Sequence, residues 1–267
     1  MKRLSQLYDQ LFEFEAVKQT KYYPIHKKLK FPGKNNGYDL VDWLMEKLEF
    51  RKGEFVLDAG CGTGNTLFRL AKEKCVKGKG ISISKKEIEF ANSWRAKENL
   101  KGEVEFRETS FDAPLKTKFN KIIAIESLKH SEQIKHTMEN LADAISQNGK
   151  FIIIDDFLEI PSPIATKQKQ LWNANGFVSL KEMIALLEEN KAFEVVTYDL
   201  TSQVIQRPFS KLIFMLFWVR NIRFFAFGKF RLNLDIYLGG LLLELLYHKQ
   251  QASYIAIIAT KKFDNHD

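Results

Sequence analysis

Two short stretches of this 267-residue chain hold residue types that could do chemistry together. The first is Val56-Leu57-Asp58-Ala59-Gly60-Cys61-Gly62-Thr63-Gly64. Glycine tolerates positive φ and lets a backbone come close to a ligand. An acidic residue ahead of such a turn suits a cationic or hydrogen-donating ligand. The second stretch is Glu126-Ser127-Leu128-Lys129-His130. It sets a carboxylate and an imidazole four positions apart, groups able to stabilise a developing cation or to take a proton. A plainer reading makes Glu126 a hydrogen-bond anchor for the first turn after a strand. Cys61 reads as a small apolar filler rather than a nucleophile.

Both stretches sit in a pattern that alternates strand and helix. Phe55 to Leu57 is a short apolar strand, and the glycine run that follows opens a helix from Thr66 to Lys74. Gly80 to Ser84 is a second strand, with a helix from Lys85 to Asn99. Val104 to Arg107 is a third strand, and Lys121 to Ile125 a fourth. A helix over Glu132 to Gln147 and a fifth strand, Phe151 to Ile154, come next. Residues 164 to 191 read as helix broken near Asn175-Gly176, before strands at Phe193 to Leu200 and Tyr254 to Ala259. Alternation of this kind predicts an α/β fold, a seven-stranded, mostly parallel sheet with helices on both faces. The glycine turn then lies at the carboxyl edge of the sheet, where doubly wound folds bind cofactors. Ahead of the core, Leu4, Leu7, Leu11, Phe14 and Val17 keep helical spacing, and residues 38 to 49 return to it after a turn-rich loop. The expected organisation is one structural domain in four parts: a helical lid over 1–50, a core over 51–201, a hydrophobic cap over 202–250, and a last strand with a tail over 251–267.

With Asp58 ahead of it, the spacing Gly60-x-Gly62-x-Gly64 resembles motif I of class I S-adenosylmethionine-dependent methyltransferases. The pyrophosphate-binding glycine loop has GxGxxG spacing instead. The resemblance extends over roughly Phe50 to Phe157. It implies a Rossmann-like core and S-adenosyl-L-methionine as cofactor, leaving S-adenosyl-L-homocysteine, with Asp58, Gly60, Cys61, Gly62 and Gly64 around the methionine end. Most members end the second strand with an acidic residue on the ribose, whereas this chain has Ser82. Ile83 would then pack on the adenine, with Phe111 on the ring and Asp112 receiving its amino group. A turn or helix cap is the rival role for Asp112. Serine at this place, together with Glu126-Ser127 and His130, resembles the branch that methylates sterols, tocopherols and prenyl chains. The Asn- or Asp-Pro-Pro-aromatic motif of nucleic-acid amino methylation is absent.

That branch implies a hydrophobic acceptor. Transfer from a sulfonium is an in-line displacement, so a heteroatom acceptor needs at most a base. An alkene carbon is left as a carbocation, which calls for a nearby carboxylate and then for a base. Glu126, also counted among the cofactor contacts, suits the first role and His130 the second. C-methylation of an isoprenoid or related lipid is the expected reaction. O- or N-methylation of a lipophilic metabolite, RNA methylation and cofactor binding without catalysis are the alternatives.

The formal net charge of +8 favours anionic partners such as a phosphorylated substrate or an acidic membrane face, or marks a solvated lysine-rich surface. Nucleic acid is not expected, because no clustered basic-aromatic platform accompanies the site. Cys61 and Cys75 form neither a disulfide framework nor a zinc-binding spacing, and no metal is expected. A reducing cytoplasm fits, with no apolar leader at the N-terminus. Leu212 to Val219 is wholly apolar, Phe224-Phe225-Ala226-Phe227 follows two arginines, and Ile236 to Tyr247 is apolar again. Neither run has the roughly 20 apolar residues that span a bilayer. Three roles compete for this segment: a helical cap over the substrate pocket, a surface peripheral to an anionic membrane, and a homodimer contact.

Overall fold

The computed structural model describes Ser5, Tyr8, Asp9 and residues 26–35, 37–189 and 193–262. Its centre is a seven-stranded sheet: β1 (Phe55–Ala59), β2 (Lys77–Ser82), β3 (Glu103–Glu108), β4 (Phe119–Ile125), β5 (Ile145–Leu158), β6 (Phe193–Asp199) and β7 (Ala252–Lys261). The order across the sheet is β3-β2-β1-β4-β5-β7-β6. The β1–β2, β1–β4, β2–β3 and β4–β5 pairings are parallel, while β7 runs antiparallel to both β5 and β6. The order reverses beside β1, so its carboxyl end faces the crevice between two directions of winding.

The helices are α1 (Leu40–Lys47), α2 (Asn65–Lys74), α3 (Lys85–Arg95), α4 (Ile134–Asp143), α5 (Pro163–Trp172), α6 (Leu180–Glu188), α7 (Phe209–Phe225) and α8 (Gly228–His248). The sheet is covered on both faces. Leu44, Leu67, Leu70 and Ile88 of α1 to α3 join Val56, Ile123 and Ile152 in one core. Met138, Leu141, Met183 and Leu187 of α4 and α6 join Leu57, Ile122 and Ile153 in the other. Neighbouring strand residues thus serve opposite layers, which is why the buried strands read as continuous apolar runs. Asp39 caps α1 by accepting from the N–H groups of Val41 and Asp42, and Arg69 of α2 bridges Asp39 and Asp42.

Several element boundaries differ from the sequence pattern. The helix expected to reach Gln147 ends at Asp143, because Ile145 already pairs with Phe119 as the start of β5 and Asn148 takes a positive φ of 57°. The second strand stops at Ser82, since Ser84 turns its hydroxyl to cap α3 at Glu87 N–H. The following helix ends at Arg95 rather than Asn99. The helix expected over residues 4 to 17 lies outside the described residues apart from Ser5, Tyr8 and Asp9, which are helical.

The segment between β6 and β7 is a hairpin of α7 and α8. With Leu171 of α5, its residues Leu212, Val219, Leu238, Leu241 and Leu245 make a third, smaller core. The α5–α8 contact is close. A Cβ on Gly239 would overlap the Trp172 indole, whose N–H donates to the Ile236 carbonyl at 2.9 Å. Alanine in a helix interior ordinarily stabilises by about 1 kcal/mol over glycine. Here overpacking reverses the sign, and Gly239→Ala is expected to destabilise the chain by about 1–3 kcal/mol in urea unfolding.

Candidate active site

The carboxyl ends of β1, β2, β4 and β5 converge on one crevice. Gly60, Gly62 and Gly64 all take positive φ, at 91°, 53° and 86°. The backbone N–H groups of Gly60 and Cys61 both donate to Ile81 O at 2.9 Å, which fixes the loop against β2. Ser127 Oγ donates to Ala59 O at 2.6 Å, which fixes it against the end of β4. A Cβ on Gly60 would collide with the Ser127 side chain, and one on Gly64 would come within 2.6 Å of the Phe106 ring. Cys61 is buried behind the loop, against Gly80, and burial pushes its thiol well above the usual range. It fills space, as its size suggests.

Two observations test the loop against the S-adenosylmethionine that the sequence implies. The Asp58 carboxylate is buried and receives no hydrogen bond from any described residue, and desolvation alone raises its pKa to about 7. Asn65 Oδ1, at the start of α2, is buried without a partner. A ligand carrying an ammonium and hydrogen-bond donors would satisfy both. The site therefore fits the methionine end of the cofactor.

Ser82 donates its hydroxyl to Glu87 Oε2 at 2.7 Å. Glu87 is buried, and desolvation, with Asp9 adding to it, pushes its carboxyl up to about 7. A buried carboxylate thus stands beside the end of β2, contributed by the first turn of α3. The sequence pattern did not single out Glu87, although a glutamate at the third position after a serine cap is a readable signal. Ser84 Oγ and the Lys86 N–H both donate to Asp9 Oδ1, at 2.6 and 3.3 Å, so Asp9 reaches this corner. Ile83 is half-buried in the bend between β2 and α3. Phe111 packs partly into the second core, and the Asp112 carboxylate accepts from Ser110, Ser131 and Thr137. Those bonds are what a turn-stabilising aspartate makes.

Glu126 follows β4 directly with φ at 52°, and its N–H donates to Ile154 O at 2.8 Å. Its Oε1 accepts from Tyr254 Oη at 2.9 Å and from the Lys27 N–H at 2.8 Å. Burial would raise its pKa, but Lys27 and Lys129 outweigh burial and hold it below the usual value. No hydrogen bond joins Glu126 to His130 among the described residues, so the two are not a dyad. His130 meets the Tyr8 ring edge-on, with centroids 5.4 Å apart, and its Nδ1 is buried without a partner. Desolvation and then Lys129 push its pKa down to about 3, which keeps the imidazole neutral.

Behind these residues lies a charge cluster that only the fold assembles. Lys129 is buried, with Nζ 2.7 Å from Asp156 and 3.0 Å from Asp155 in the last third of β5. Lys27 Nζ also reaches Asp156, at 2.6 Å, and Tyr247 of α8 donates its hydroxyl to the same carboxylate. The sequence pattern did not single out the aspartate pair, and its partners Lys129, Lys27 and Tyr247 come from three separate stretches.

A family profile described as a methyltransferase domain matches residues 50–190. The 27-O-demethylrifamycin SV methyltransferase of Amycolatopsis mediterranei (strain S699) is 34% identical over 126 residues, covering 46% of either chain. The O-methyltransferase resE of Aspergillus sclerotiorum is 29% identical, over 62% of this chain and 64% of that one. The chain thus spans about half to two thirds of these relatives' length. Among solved structures, a geranyl diphosphate methyltransferase complexed with GPP and sinefungin superposes with a TM-score of 0.72 over 97% of this chain and 98% of that one, at 14% identity. That likeness establishes the fold.

The raised carboxyls give a pH signature. Folded Asp58 keeps its proton up to about 7, whereas an unfolded aspartate releases it near 3.8. The folded state binds more protons between those values, so stability is lost as pH rises through that window and is not regained above it. Without cofactor, Asp58→Asn is expected to match the wild type in urea unfolding near pH 3.5 and to exceed it by about 3–4 kcal/mol at pH 8. An equal difference at both pH values would count against a buried, partnerless Asp58.

Proposed function

The chain belongs to the class I S-adenosylmethionine-dependent methyltransferases, and on that premise we propose that it transfers the methyl group to a small hydrophobic acceptor. The observation that supports this most is the Gly60–Gly64 turn, held between β2 and Ser127 with the partnerless Asp58 beneath it. When bound, S-adenosylmethionine supplies an electrophilic methyl on a sulfonium. Asp58 would take the cofactor's ammonium, and Ser82 with Glu87 would take the ribose hydroxyls. Ile83, Phe111 and Asp112 remain the proposed adenine contacts, with Asp112 the most committed to neighbours of its own.

For the acceptor, the first reading is carbon of an isoprenoid or related lipid. Glu126 is ionised at the tip of β4, with Tyr254 and Lys27 fixing its orientation, and a fixed carboxylate stabilises a cation left on the acceptor. The base that removes the subsequent proton is then Glu126 or His130. The second reading is a hydroxyl oxygen. It is favoured by the neutral His130 with its free Nδ1, which can accept a hydroxyl hydrogen bond, and by the O-methyltransferases among the relatives.

Two measurements test these readings. Calorimetry should show S-adenosylhomocysteine binding to the wild type and none to Gly62→Asp, which puts a carboxylate and a Cβ at φ 53° in the turn. Binding that survives in the variant would move the cofactor site elsewhere. Glu126→Gln should retain S-adenosylhomocysteine affinity and lose about 10²-fold or more in turnover. A loss confined to cofactor affinity would make Glu126 a cofactor contact only. Prenyl diphosphates and phenolic lipids, offered side by side, separate carbon from oxygen methylation.

A further inference from the structure

Helix α7 is apolar on nearly all sides, yet only one side is covered. Leu212 and Val219 face α5 and α8 and are buried. The opposite side carries Phe214, Phe217 and Trp218, which are 63%, 61% and 50% exposed. The turn into α8 is more exposed still, with Phe224, Phe225 and Phe227 at 77%, 74% and 80%. A helix hydrophobic all round is ordinarily buried, and an aromatic patch of this extent marks an interaction surface. No helix among the described residues is long and apolar enough to cross a membrane.

The charge around the patch narrows the partner. Residues 202–250 contain seven lysines and arginines against two carboxylates, Asp235 and Glu244. Both carboxylates are bridged to arginines of the same hairpin, Arg223 and Arg207. Arg220, on the aromatic side of α7, and Arg231, just past the tip, are exposed. A second copy would bring the same cationic rim against itself, in a chain already carrying +8. Phenylalanine and tryptophan interleaved with arginine, short of spanning length, suit the boundary between headgroups and acyl chains.

We propose that the outer side of α7 and the α7–α8 turn form a docking surface for an anionic lipid bilayer, with the phenylalanines entering the headgroup boundary and the arginines on acidic headgroups. Helix α8 spans about 30 Å from that turn to Tyr247, which touches Asp156 in the crevice. Docking would therefore fix the crevice relative to the lipid surface. The inference rests on surface composition and does not depend on the proposed activity.

The test is co-sedimentation of the full chain with phosphatidylcholine vesicles, with and without phosphatidylglycerol. Quenching of Trp218 by brominated lipid gives a second readout, with Trp218→Phe as control. The wild type is expected to pellet with the anionic vesicles. Arg220→Glu/Arg231→Glu, and separately Phe224→Ser/Phe225→Ser/Phe227→Ser, should weaken that binding about tenfold or more. Thermal unfolding of both variants should match the wild type, since every altered side chain is exposed. The proposal is overturned if the wild type binds neither vesicle, or if both variants bind as it does. It is also overturned if sedimentation equilibrium shows a dimer that the phenylalanine variant dissolves.

Discussion

A buried ammonium organises one wall of the crevice. Lys129 lies against Asp155 and Asp156 with almost no exposure, and its Nζ sits 5.4 Å from the Trp172 ring and 5.9 Å from that of Phe177. Removing one partner from such a cluster costs about 3–5 kcal/mol, because a charge is left without compensation. The cost falls on several elements at once. Lys129 follows β4, the aspartates lie in the last third of β5, Trp172 closes α5, Tyr247 belongs to α8, and Lys27 arrives from the N-terminal segment. These elements meet in one arrangement because only that arrangement pairs the charges.

The cofactor side works by the opposite rule. There the polar groups are left short of partners: Asp58, Asn65 Oδ1 and, across the crevice, His130 Nδ1. A protein interior seldom tolerates such groups unless something else satisfies them. The contrast divides the crevice into a self-satisfied wall, which sets shape and orientation, and a wall that remains incomplete without ligand. Glu126 stands at the junction, held by the first wall and turned by its positive φ toward the second.

Much of this was legible in the chain. Strand periodicity located the sheet, and the glycine spacing located its crevice, because both follow from local backbone geometry. The serine at the end of β2 was noted as a departure, but its hydrogen-bond partner, Glu87, was passed over. Recognising it required knowing that α3 begins close enough to fold a side chain back onto the strand. The start of β5 was misread as helix because Ile145 continues the apolar spacing of α4 from Leu141, and only pairing with Phe119 decides against it. Lys27, Tyr247 and Tyr254 carried no signal at all, since their roles depend on which distant elements become neighbours. The apolar segment before β7 was recognised, whereas which of its sides remains uncovered is a tertiary fact.

The N-terminal segment does more than bring Lys27 to the cluster. Leu29 pairs with Val204 in an antiparallel bridge, the Lys30 N–H donates to Gln203 O at 2.7 Å, and the Ile205 N–H donates to Lys28 O at 3.1 Å. This strap joins regions near opposite ends of the chain, so loop-closure entropy opposes it until the sheet has brought them together. A few hydrogen bonds with little apolar burial make it a late-forming unit, and such units open at lower cost than the core. Because the same strap roots the α7–α8 hairpin and delivers Lys27 to Glu126, its opening loosens that hairpin and the mouth of the crevice in a single event. Access to the crevice is thereby coupled to local unfolding at a highly non-local contact, while the sheet beneath stays folded.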